Sequence, residues 1–85
     1  MATVVRLGVQ AVDGECIPVP NLEIGCRYKY VRRPSTWSLE CTNGDGLVWF
    51  HGEHQEPPVE VDLFVGDQFC DTFPVEDGTI VVLEL

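Results

Sequence analysis

An 85-residue chain with a 45% apolar fraction and a formal net charge of −9 has the composition of one folded domain spanning residues 1–85, and not of a disordered acidic tail. A chain this small leaves little room for a deep catalytic cleft, and no stretch reaches the roughly 20 apolar residues of a membrane helix. With only five basic residues against fourteen acidic ones, its field repels nucleic-acid phosphates and anionic membranes, whose binding rests on Lys and Arg contacts.

Every regular segment alternates with period two and none carries helical spacing, so an all-β chain is expected. In residues 3–11, Val5, Leu7, Val9 and Ala11 share one face, with Arg6, Gly8 and Gln10 on the other, and Asp13-Gly14 supplies a turn. After Pro18-Val19-Pro20-Asn21, residues 22–30 place Leu22, Ile24, Cys26, Tyr28 and Tyr30 against Glu23, Gly25, Arg27 and Lys29. A loop at Arg32-Arg33-Pro34-Ser35 leads to a third strand over 36–42, offering Trp37, Leu39 and Cys41. Asn43-Gly44-Asp45-Gly46 is a strong turn, because these residues accept the positive φ of tight turns. A fourth strand over 47–51 follows. Beyond Pro57-Pro58, residues 59–65 alternate Val59, Val61, Leu63 and Val65 with Glu60, Asp62 and Phe64. Gly66-Asp67 turns the chain into a sixth strand over 68–74, and Glu76-Asp77-Gly78 into a β-branched seventh over 79–85. Seven short strands spaced by about ten residues argue for two sheets meeting over one core.

Charge is unevenly distributed along these elements. Arg6, Arg27, Lys29, Arg32 and Arg33 all lie in the first 33 positions, where Asp13, Glu15 and Glu23 leave a net +2; from Pro34 onward there are eleven carboxylates and no Lys or Arg, giving −11. The split fits either solubility alone or attraction of a basic partner or cation. The start, Met1-Ala2-Thr3-Val4-Val5-Arg6, lacks a basic segment followed by an apolar run, which favours an unexported, cytoplasmic protein.

The proline-flanked start of the second strand, Thr42-Asn43-Gly44-Asp45-Gly46-Leu47-Val48-Trp49-Phe50 and the closing Val75-Glu76-Asp77-Gly78-Thr79-Ile80-Val81-Val82-Leu83 together resemble the carboxypeptidase regulatory-like and collagen-adhesin B-type modules. The resemblance implies a seven-stranded Greek-key β-sandwich, prealbumin-like within the broad Ig-like class, and a non-catalytic surface, adhesion or accessory role. Two chemistries of that group find no support in the residues. The cross-link of adhesin modules needs a lysine, and Lys29, the only one, falls on the polar face of its strand. The transthyretin-like purine-pathway hydrolases need a His and Arg set and a Tyr-Arg-Gly-Ser-type tail, whereas this chain ends Val82-Leu83-Glu84-Leu85.

Cys16, Cys26, Cys41 and Cys70 have no Cys-x-x-Cys spacing for a zinc knuckle or redox pair. A hairpin folded about Arg33-Pro34 sets Tyr30 opposite Trp37, Tyr28 opposite Leu39 and Cys26 opposite Cys41. That geometry permits a disulfide, while the absence of an export signal favours two buried thiols. His51-Gly52-Glu53-His54 puts two imidazoles in an expected loop, a candidate metal pair, although loop histidines are more often solvated. Ser35 and Ser38 have no neighbouring base for acyl transfer.

The Gly66-Asp67 hairpin carries the main surface expectation. A two-residue turn sets Phe64 opposite Phe69, Asp62 opposite Asp71 and Glu60 opposite Phe73 on the outward face, an aromatic and acidic binding patch. A three-residue turn instead sends Phe69 and Phe73 inward with Asp71, and the pattern does not choose between them. The expected function is thus a non-catalytic protein-interaction or assembly module without cofactor. Its partner is another protein or a second copy, met through the Phe64, Phe69, Asp62 and Asp71 patch or the Arg32-Arg33 loop. The alternative is a carbohydrate module using Trp37, Trp49 or tyrosine rings, or one that binds a cation at the acidic turns or at His51 and His54.

Overall fold

The computed structural model describes residues 3–85; Met1 and Ala2, where the N-terminal reading begins, lie outside the described residues. Seven strands and no helix are present among them: β1 (Thr3–Val12), β2 (Glu23–Lys29), β3 (Thr36–Cys41), β4 (Leu47–His54), β5 (Glu60–Val65), β6 (Gln68–Pro74) and β7 (Thr79–Glu84). Among the described residues no helix is therefore long and apolar enough to cross a membrane. One sheet has the order β4-β1-β7, with β1 antiparallel to β4 and parallel to β7; the other has the order β3-β2-β5-β6, antiparallel throughout.

The inner faces meet over one core, as the alternation demands. Leu7, Val9, Val48, Phe50 and Leu83 from the first sheet pack against Ile24, Cys26, Tyr28, Val61 and Leu63 from the second. Each fully buried Leu, Ile, Val or Phe contributes about 1.5–3 kcal/mol relative to exposure. Thr42 ties the turns to this core: its hydroxyl donates to the Val19 carbonyl at 2.7 Å and accepts from the Leu22 N–H at 2.9 Å. Gly46 sits at φ +72°, where an added Cβ would lie 2.8 Å from both the Ala11 carbonyl oxygen and the Val19 nitrogen. The Asn43-Gly44-Asp45-Gly46 turn therefore needs glycine at its last position for space as well as conformation.

Three local expectations are corrected. Strand β3 pairs with β2 three residues out of the expected register: Cys26 faces Ser38, Gly25 faces Leu39, Arg27 faces Trp37 and Cys41 faces Glu23. An odd shift exchanges the faces of the strand, so Trp37, Leu39 and Cys41 point outward, and Cys26 and Cys41 are free thiols, one buried and one exposed. The cause is the 30–35 connection, which is not a tight turn at Arg33-Pro34. The Glu56 carboxylate accepts from the Val31 and Arg32 N–H groups at 2.8 and 3.1 Å, and the Tyr30 hydroxyl bonds that of Thr36 at 2.9 Å.

Strand β4 is longer than expected, because it continues along β1 until His54 faces Thr3. His51 and His54 are thus in a strand, not a loop, and three residues apart they lie on opposite faces. The β5-β6 hairpin combines both anticipated registers. Gly66-Asp67 is a two-residue turn that sets Phe64 opposite Phe69, but a bulge at Leu63/Phe64 then shifts the ladder, so Leu63 faces Asp71, Asp62 faces Thr72 and Val61 faces Phe73. Cys70 is the inserted residue.

Candidate interaction surface

The outer face of the four-stranded sheet gathers side chains from all its strands, set there by the parity of each. Gly25 and Arg27 of β2 lie between Trp37 and Leu39 of β3 and Asp62 and Phe64 of β5, with Phe69 of β6 beyond. The Trp37 and Phe64 rings pack at 4.9 Å between centroids, and Phe64 meets Phe69 edge-on at 5.6 Å. The Arg27 guanidinium lies 5.5 Å from the Trp37 ring and 5.4 Å from that of Phe64, within cation–π range of both. Trp37, Leu39 and Phe69 remain 57%, 60% and 52% exposed. Gly25 forms the floor of this patch, since a Cβ there would stand 3.3 Å from Leu39 Cδ2 and 3.4 Å from Phe64 Cβ.

Asp62 anchors the patch from beneath. It is 2% exposed and accepts bonds from Arg27 Nε at 3.0 Å and the Thr72 hydroxyl at 2.6 Å, with Lys29 Nζ 3.2 Å away. Burial alone would push its carboxyl up, but the Thr72 hydroxyl, the Arg27 guanidinium and the Lys29 ammonium together hold it below the ordinary carboxylate value. Asp62 is therefore the buried brace of the cation that caps the rings, not the exposed partner of Asp71. Asp71 is exposed along the β6 edge, and Phe69 is the one β6 residue of the expected patch that shares the face with Phe64.

At the β5-β6 turn this face opens into a groove of about 330 Å³ lined by Trp37, Leu39 and Phe64, with the carboxylates Glu23 and Asp67 at its mouth. Arg32 and Arg33 stand at the other end of the sheet, exposed in the β2-β3 connection. Among the described residues Arg6, Arg27 and Lys29 are ion-paired, and the Arg32 and Arg33 side chains are not.

The two histidines border one recess from opposite faces of β4. His51 points outward opposite Arg6, in a second recess shared with Trp49 and Gly78, whereas His54 is 5% exposed and faces inward. Tyr30 bonds His54 Nδ1, and the Tyr28 ring meets the imidazole edge-on at 4.6 Å. Burial pushes the His54 pKa down, that of Tyr28 up and that of the Cys26 thiol up to about 12. Gly52 makes room for this arrangement, since a Cβ there would lie 2.9 Å from His54 Nε2. No group of three metal-ligating side chains occurs among the described residues. Trp49 lies on the other outer face, where with Ile80 it covers Gly8, so the two tryptophans belong to different surfaces.

Period-two reading missed the roles of Gly25 and Arg27. The signal for His51 and His54 was available, because an odd separation within any strand divides two residues between faces. Comparison with family models, with curated proteins and with solved structures returns no match for this chain.

Proposed function

We propose that the chain is a non-catalytic protein-interaction module, a prealbumin-like Greek-key sandwich whose outer four-stranded face docks a partner that presents basic side chains. The observation that carries this reading is the cluster of Trp37, Leu39, Phe64 and Phe69, with Arg27 over the Trp37 and Phe64 rings, in which Trp37, Leu39 and Phe69 are more than half exposed. Buried Trp and Arg anchors dominate the energy of protein interfaces, and a contiguous aromatic patch on a small domain is costly to leave uncovered. Complementary charge selects the partner: Glu23 and Asp67 flank the groove on a chain of net charge −9.

The test uses Trp49→Phe, which leaves Trp37 as the single fluorescent reporter, titrated with length-matched peptides carrying Arg and Leu or Glu and Leu. The basic peptides should shift Trp37 emission and lose their binding in Phe69→Ser. Equal affinity for both peptide classes, or binding indifferent to Phe69, would remove the proposal.

A further inference from the structure

The four-stranded sheet carries the Arg32 and Arg33 side chains at one end and the Glu23 and Asp67 carboxylates at the other. We infer that the groove takes the Arg32-Arg33 loop of a second copy, so that chains join head to tail. This rests on the interaction surface proposed above and names its partner. The first observation is the inventory of charge: the Arg32 and Arg33 guanidinium groups form no ion pair among the described residues, and neither do Glu23 and Asp67. The second is their placement. Glu23 begins β2 and Arg32 follows its far end, so the seven residues of β2 set the two sites at least about 20 Å apart at roughly 3.3 Å per residue. Groups that far apart on one rigid sheet cannot pair with each other, but each can meet the other's counterpart on a neighbour.

The third observation is chemical fit. Arg27 already lies over the Trp37 and Phe64 rings, which demonstrates that these rings accept a guanidinium. An incoming arginine would lay its stem along Leu39 and Trp37 and turn its guanidinium to Glu23 or Asp67. Val31, 75% exposed beside Arg32, supplies the apolar contact of the same loop. The Glu56 carboxylate beside Arg32 holds the Val31 and Arg32 backbone N–H groups through one oxygen and forms no ion pair with either guanidinium among the described residues.

Such a contact is heterologous: each copy offers one end and uses the other, so it continues into a chain of subunits unless its rotation closes a ring. The net charge of −9 on every copy opposes it at long range. At physiological ionic strength the screening length is about 8 Å, shorter than the spacing of most charges on neighbouring copies, while the paired groups stay in contact. Association should therefore be strongest at intermediate salt and weaken at both extremes.

The experiment is light scattering on the full chain over a concentration series into the millimolar range, at low, physiological and high salt, with reducing agent present. The expected result is a mass that rises with concentration from the 9.5 kDa monomer. It should return to monomer in Arg32→Gln/Arg33→Gln and in Glu23→Gln/Asp67→Gln, each with unchanged circular dichroism. Mixing these two variants should give a 1:1 pair that grows no further, because each retains one competent end. A wild-type mass that stays monomeric, or association indifferent to the four substitutions, overturns the second-copy partner. The first of these leaves the peptide titration free to decide the docking face on its own.

Discussion

Replacing Asp62 with Asn removes the one buried charge beneath the aromatic patch while keeping the size of the side chain and an acceptor for the Thr72 hydroxyl. The carboxylate is 2% exposed and serves Arg27, Lys29 and Thr72 together. Hydrogen bonds to charged groups are worth about 1.5–3 kcal/mol each. The Arg27 and Lys29 side chains are 38% and 37% exposed, so water screens their share and takes up part of what the variant loses. The expected net loss at pH 7 is about 2 kcal/mol, or about 8–16 °C in melting temperature for a domain this size. The folded carboxyl is held below its ordinary value, so the unfolded state binds more protons in the window between the two. Stability then rises with pH there, is complete above the unfolded value of about 3.9, and is lost as pH falls through the folded one. Urea unfolding followed by tryptophan fluorescence should therefore show the wild-type and Asp62→Asn midpoints well separated at pH 7 and closer together at pH 3, below the unfolded carboxyl value. An equal gap at both pH values, or a gap at pH 7 below about 0.5 kcal/mol, would refute this account of the brace.

The turn and the register can be tested with similar economy. Gly46→Ala should cost on the order of 2–3 kcal/mol, because its φ of +72° is joined by a 2.8 Å approach to two backbone atoms. Gly66→Ala, with φ +59° and nothing within 4 Å, should cost no more than about 1 kcal/mol. Similar losses in urea unfolding would show that crowding at Gly46 is unimportant. For the β2-β3 register, native Cys16, Cys41 and Cys70 should react readily with an aromatic disulfide reagent. Cys26, buried and with its thiol pushed up to about 12, should react only after unfolding. Joint protection of Cys26 and Cys41 would restore the register in which they face each other.

The legible part of the fold is the part where alternation has one meaning. In β1, β2 and β5 the inner positions are apolar and the outer ones mostly polar or glycine, so spacing alone groups Leu7 with Val9, Ile24 with Cys26 and Val61 with Leu63, and the face each pair shares is the buried one. Strand β3 alternates just as cleanly, but its apolar set faces outward. Period two fixes which residues share a face and does not say which face is wet. What decides it is the Glu56 carboxylate gripping the 30–35 loop, a contact 25 residues distant in sequence. The β5-β6 hairpin failed by half for a comparable reason, since a single inserted residue at Cys70 leaves Phe64 opposite Phe69 yet carries Asp62 away from Asp71. Burial of Asp62 was invisible because its partners sit on β2 and β6, not on its own strand.

The docking face itself is tested most directly by backbone nuclear magnetic resonance of the labelled chain during titration with the Arg and Leu peptide. Shifts should gather at Gly25, Trp37, Leu39, Phe64 and Asp67, and leave Gly8, Trp49 and Ile80 on the opposite face unmoved. Shifts centred on Gly8, Trp49 and Ile80, or spread evenly over the carboxylates of both sheets, would contradict the assignment.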